Sequence, residues 1–368
     1  MKSSITALLA LATTTLAEWK NLTASSYTLK DSGLSPVIAR LDAALPNVYV
    51  KDIMADLNHD NPSASPNVKN LVPGSAYAWQ KTSDFNDQTG LKWYPQGITT
   101  SADAYEKGDY DGFHVHLVSW HSDLYDGGKR GARISFVNRG DGERKYRHVL
   151  LVRPKDEDDF EAIDSLHAGG IMWYGNLLYV VSTRGGLLVF DLQRMYKVDT
   201  SVDDKVGKQE GGKYAAYGYK YVLPQVRSYD WQAEDGVRDL RFSFLSLDRT
   251  TTPDTLLVGE YSATRTDSRL VRWPLDYTTR VLKSLTATEA IQHDALQIQG
   301  AASIDGKYFL TQSGGALITH TWADGAVKHG SVFPSVPEDL SVEKGRGLWT
   351  LMEQIGFRGV VAVDVTKF

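Results

Sequence analysis

Two sets of polar residues recur in this chain at matching places beside apolar runs. Gln96, His167, Gln299 and Glu338 each stand just before a Gly or Asp and an apolar residue, while Trp120, His121, Arg184, Glu260, Tyr261, Gln312 and Glu353 close the runs that follow. If the runs are strands arranged around an axis, both sets crowd at one mouth of a central channel. Two histidines, three carboxylates, an arginine and several amides around one cavity suit general acid and base work on a neutral or polar organic substrate. Histidine and a partly buried glutamate are tuned toward neutral pH from opposite directions. The candidate catalytic pair is His167 with Glu260 or Glu353. Arg184 is assigned to hold a carboxylate or a substrate oxygen, and Gln96 and Gln299 to orient the substrate. Trp120, His121, Tyr261, Gln312 and Glu338 complete the binding wall. Taken singly, each side chain is explained as well by hydrogen bonds to channel water and backbone. The recurrence of the set is what points to chemistry.

The element that must position these residues is legible between His167 and Leu192, where three short runs rich in β-branched and aromatic residues are separated by Tyr174-Gly175-Asn176 and Arg184-Gly185-Gly186. Such spacing describes an antiparallel meander with tight hairpins. A meander cannot bury both faces alone, so it reads as one blade of a radial array. Comparable copies begin at Pro95, Asp239, Ile298 and Pro337. The expected fold is an all-β propeller of five blades, with six as the alternative, over residues 93–368. An extension over 18–92 closes it, with a helix around Pro36 to Ala44 and a strand around Val48 to Met54. A β-sandwich is the plainer alternative, and the repeated opening motif argues against it.

With 368 residues, 42% of them hydrophobic, the chain is long enough for a large core. Its net charge of −5 and lack of a basic stripe argue against nucleic acid as a partner. Residues 1–17 combine Lys2, an apolar centre and Thr15-Leu16-Ala17, the pattern of a secretory signal peptide cut after Ala17, too short to span a bilayer. The expectation is a monomer in the secretory pathway, secreted or vesicular, without a transmembrane segment. Asn21-Leu22-Thr23 is a glycosylation acceptor. The chain has no cysteine, so stability must come from the closed sheet core.

Other chemistries are weaker. The chain has no Gly-x-Ser-x-Gly elbow, phosphate loop, dinucleotide fingerprint or His-Glu-x-x-His. His114 and His116 alternate on one strand without an evident third ligand, and packing explains them better than zinc or iron. No cofactor is expected, with a channel calcium held by Glu338, Asp339 and backbone carbonyls as the alternative. Tyr214 to Tyr221 reads as an outer strand rather than a sugar platform, and Lys155 to Asp159 as a solvated loop.

Pro95-Gln96-Gly97-Ile98-Thr99, His167-Ala168-Gly169-Gly170-Ile171 and Leu187-Leu188-Val189-Phe190-Asp191-Leu192 together resemble a family of secreted fungal proteins read as β-propellers, among them a member of the core trichothecene gene cluster. The resemblance spans nearly the whole chain. It implies a role in sesquiterpenoid mycotoxin biosynthesis linked to virulence on plants, with a small terpenoid as substrate, and it brings no established catalytic signature. A cofactor-free acid/base cavity then fits a non-redox step such as oxygen-ring closure with loss of water. The competing expectation is a carbohydrate-active propeller: a polysaccharide lyase using His167 and Arg184, or a sugar-binding module using Trp120, Trp173 and Tyr261.

Overall fold

The computed structural model describes residues 19–122, 130–140 and 144–368. The expected signal segment lies outside them. The described residues build five antiparallel blades around one axis. The first runs outward through Trp93–Thr100, Val115–Ser122, Ala132–Asn138 and Lys145–Lys155, and the second through Ile171–Tyr174, Leu177–Ser182, Gly186–Asp191 and Tyr221–Ala233. The third comprises Phe244–Asp248, Thr255–Gly259, Ser268–Pro274 and Glu289–His293. The fourth is Ile298–Ile304, Lys307–Gln312, Ala316–Thr321 and Gly325–His329, and the fifth Pro337–Glu343, Gly347–Met352 and Gly359–Val363. The five innermost strands neighbour one another in a closed ring, so the propeller has five blades.

Both faces of a blade are covered, which is why its strands are apolar almost throughout instead of alternating cleanly. On the first blade, Leu117, Ile134 and Phe136 pack with Trp173 and Val180 of the second blade. From the other face, Ile98, Val118 and Trp120 pack with Trp349, Leu351 and Val360 of the fifth. Around the axis the strands approach so closely that side chains must be omitted. A Cβ on Gly170 would lie 2.3 Å from the backbone nitrogen of Leu245, and one on Gly300 2.7 Å from the Cα of Asp339.

The N-terminal segment is a belt. Lys20–Asn21 pairs with the outer strand of the third blade, Tyr27–Asp31 with that of the second and His59–Asp60 with that of the first. Leu71 and Tyr77 then bridge to Val363 and Val360 and supply the missing outer edge of the fifth blade. Asn21 is exposed on this belt. The helix expected near Pro36 is Val37–Ala44. The strand expected from Val48 to Met54 is instead mostly a short helix, Val50–Met54, started by the Tyr49 amide donating to the Asp52 carboxylate at 2.8 Å. That local cap outweighs the apolar content on which the strand reading rested. No helix among the described residues is long and apolar enough to cross a membrane.

Candidate functional site

The channel is pinned at its centre. Asp339, fully buried on the innermost strand of the fifth blade, accepts hydrogen bonds from the backbone amides of Ile98 (3.0 Å), Ile171 (3.1 Å) and Leu245 (3.4 Å), one from each of the first three blades. Burial nevertheless pushes its pKa well above the usual carboxylate value, with these amides opposing. Its oxygens face amide hydrogens and act as acceptors. The calcium considered at Glu338 and Asp339 would compete with them. Among the described residues no group of three or more His, Asp or Glu is arranged to hold a metal.

Above this pin, at the end where the inner strands begin, acids and bases meet. Glu338 is 4% exposed, and no hydrogen bond to its carboxyl forms among the described residues. Burial and the neighbouring Glu353 and Asp339 drive its pKa well above the usual range. Glu353 accepts from Gln96 Nε2 at 2.5 Å. Burial raises its pKa, against that hydrogen bond and Arg358. Arg358 donates through Nε to the Glu353 carbonyl at 2.9 Å, and its guanidinium lies 4.7 Å from the centre of the Tyr94 ring. Tyr94 is followed by His121 at 5.7 Å between ring centres, and His121 by His167 at 4.5 Å. His167 is open to solvent on one side. The protein packed around the rest of it, with His121, lowers its pKa to about 4. The mouth therefore sets a carboxyl whose burial favours its protonated form, Glu338, beside an imidazole that is neutral at neutral pH, His167.

The structure thus groups Gln96, Glu338, Glu353, His121 and His167, and adds Tyr94 and Arg358, which the recurring pattern did not pick out. Other assignments are corrected. Glu260 accepts from Arg269 Nε (2.8 Å) and Arg238 Nη2 (2.9 Å), and from the amides of Arg241 (2.9 Å) and Arg269 (3.0 Å). Although burial opposes ionisation, these partners hold its pKa below the ordinary value. It is a satisfied structural anion rather than the partner of His167. Trp120 has no accessible surface and donates to Ser135 Oγ at 2.8 Å, so it is core. Trp173 is equally buried, which leaves Tyr261 of the three aromatic residues named for the sugar-binding alternative. His167 is also out of register with Gln96. Since Ile98 and Ile171 are the equivalent donors to Asp339, the residue matching Gln96 is Gly169. Arg184 is exposed on the Ser182–Gly186 hairpin. Gln312 donates to the Leu296 carbonyl at 2.8 Å. Gln299 and Tyr261 are half-buried. His116 is buried against Tyr77 and Trp349, and Asp158 of the acidic run pairs with Lys208.

Two cavities lie apart from the mouth. Below the pin lies one of about 1110 Å³, bounded in part by Asp103, Arg249 and Glu343. Beside the start of the first blade lies another of about 900 Å³, with Asp87, Arg133 and His148 on its wall. Those three come from a loop and from two neighbouring strands of the first blade, brought together by strand pairing and not by a local motif.

No family model matches the sequence, and no curated relative is found for it. Among solved structures, the chain is similar to a glucose dehydrogenase at 12% identity and a TM-score of 0.38, covering 83% of this chain and 98% of that one. It is similar to the soluble aldose sugar dehydrogenase of Escherichia coli at 14% and 0.38, with 83% and 96% covered. The calcium-binding regucalcin of Agrobacterium tumefaciens follows at 11% and 0.30, with 75% and 91% covered. Likeness this distant carries neither substrate nor cofactor across.

Proposed function

We propose that the upper mouth is a cofactor-free acid/base site acting on a hydroxylated sesquiterpenoid, and that its step is oxygen-ring closure with loss of water within trichothecene-type mycotoxin biosynthesis. The pathway and the link to virulence rest on the resemblance carried by the repeated blade motifs. The observation that carries the chemistry is the buried Glu338 carboxyl, which takes no donor among the described residues and neighbours Glu353, the carboxyl that Arg358, Tyr94 and His121 link in sequence to His167.

Glu338 gives its proton to the leaving hydroxyl of an allylic alcohol, and that carbon–oxygen bond breaks to release water. The oxygen of a second substrate hydroxyl forms the new bond to the same allylic system, and its proton passes to His167. Water returns that proton from the imidazolium to Glu338, so one turnover removes one water and leaves the protein unchanged. Glu353, accepting from Gln96, places negative charge beside Glu338 and so favours the protonated acid. Each positioned proton transfer contributes roughly two to four powers of ten. The test is incubation of purified protein with an allylic-alcohol sesquiterpenoid precursor. Accelerated cyclisation supports the reading, and equal rates with and without protein overturn it.

A further inference from the structure

We infer that the 900 Å³ pocket beside the first blade is a separate ligand site, and that its ligand is an organic anion with a flat apolar body. The wall carries five basic side chains, Lys92, Arg130, Arg133, Arg147 and Lys220, and one carboxylate, Asp87. Arg133 is paired with Asp87 at 2.5 Å, while Arg147 and Lys220 share Asp56 at 3.3 and 2.6 Å. Among the described residues, Arg130 and Lys92 form no ion pair. In a chain of net charge −5, this concentration of positive charge is local and not a general trend.

The apolar half comes from aromatic rings. Phe85 stacks on His59 at 3.6 Å, the Arg133 guanidinium lies 4.4 Å from the Trp93 ring, and that of Arg130 lies 5.2 Å from Tyr217. A guanidinium seated on a ring leaves its N–H edge available to oxygen acceptors, and planar rings beside it accept a flat hydrocarbon. The volume is that of an ordinary small-molecule site.

The polar floor argues for binding rather than hydrolysis. Ser135, His148 and Asp87 form a chain, with His148 Nδ1 3.0 Å from Ser135 Oγ and His148 Nε2 2.7 Å from Asp87. Ser135 has no accessible surface and already accepts from Trp120, so it cannot reach a substrate as a nucleophile. Asp87 takes further donors from Arg133 and Tyr146. The floor satisfies itself and fixes Arg133, which is 3% exposed and whose Nε has no partner.

Calorimetric titration of the full chain with naphthalene-2-carboxylate and with its uncharged analogue 2-naphthamide tests this site. The expected result is one saturable site per chain for the carboxylate, at least tenfold tighter than the amide. The Lys92→Met, Arg130→Met double variant, whose replaced side chains hold no ion pair among the described residues, weakens the carboxylate at least tenfold and leaves the amide and the unfolding temperature unchanged. Absence of saturable carboxylate binding, equal affinity for both probes, or a folded double variant that binds like the parent would each overturn the inference. Cyclisation at the mouth is read independently, so either proposal can fail alone.

Discussion

The Asp339 carboxylate accepts the backbone amide of Ile171 at 3.1 Å across the propeller axis, and with the amides of Ile98 and Leu245 it ties the fifth blade to the first three. The fourth blade closes on the same residue through Gly300. Replacing Asp339 by Ala strands three buried N–H groups, each worth about 1–3 kcal/mol when unsatisfied, so a loss of at least about 3 kcal/mol is expected. Asp339→Asn keeps one carbonyl acceptor and should recover part of it. Denaturant unfolding of the two variants checks this, and wild-type stability for Asp339→Ala would mean that the axis is held by packing alone.

That pin also explains what the sequence could and could not show. Gly97, Gly170 and Gly300 recur because strands meeting at an axis have no room for a side chain, so a local steric demand printed a repeated motif and made the blades countable. The register of His167 is ambiguous in the sequence because Ala168-Gly169-Gly170 offers two glycines, and only the hydrogen bond from Ile171 to Asp339 says which one faces the axis. Asp87, Arg133 and His148 left no local trace, since their proximity depends on strand pairing and on the belt.

At the mouth, the two perturbed groups set limits on activity. His167 accepts a proton only when neutral, so kcat/KM should rise as pH increases through about 4. It should fall again where Glu338, raised well above its ordinary value, finally loses its proton. Glu338→Gln is expected to lower kcat roughly 100- to 10,000-fold, and His167→Ala to remove the limb near pH 4. A pH–rate profile unchanged in His167→Ala would exclude that residue as the acceptor.

Glu260 behaves differently. Its pKa is depressed, so its contribution to stability is present above the unfolded value of about 4.3 and disappears as pH falls through the lower folded value. Glu260→Gln leaves the buried Arg269 without its carboxylate, while Arg238 keeps Asp267 at 3.8 Å, and should cost about 3–5 kcal/mol near pH 7, with the gap to wild type closing in acid. Cyclisation by the folded fraction should survive, because the side chain is occupied by arginines. Wild-type stability of the variant at neutral pH would refute the structural assignment.

Asp103, on the wall of the lower cavity, offers a pH test of opposite sign. Its carboxylate accepts from Thr99 Oγ1 at 2.6 Å and Ser341 Oγ at 2.7 Å, yet burial outweighs these donors and raises its pKa from 3.8 to about 6. Between those values the folded protein binds more protons than the unfolded chain, so this group's contribution is fully present below about 3.8 and is lost as pH rises to about 6. Asp103→Asn mimics the protonated form and has no charge to bury. Relative to wild type, the variant should therefore gain on the order of 2–3 kcal/mol between pH 3.5 and pH 8, whatever its offset from altered capping at the Thr100 helix start. Denaturant unfolding of both proteins at the two pH values measures the change directly. A gap that stays constant would show that Asp103 titrates like an exposed carboxylate, and that the hydroxyls of Thr99 and Ser341 offset its burial completely.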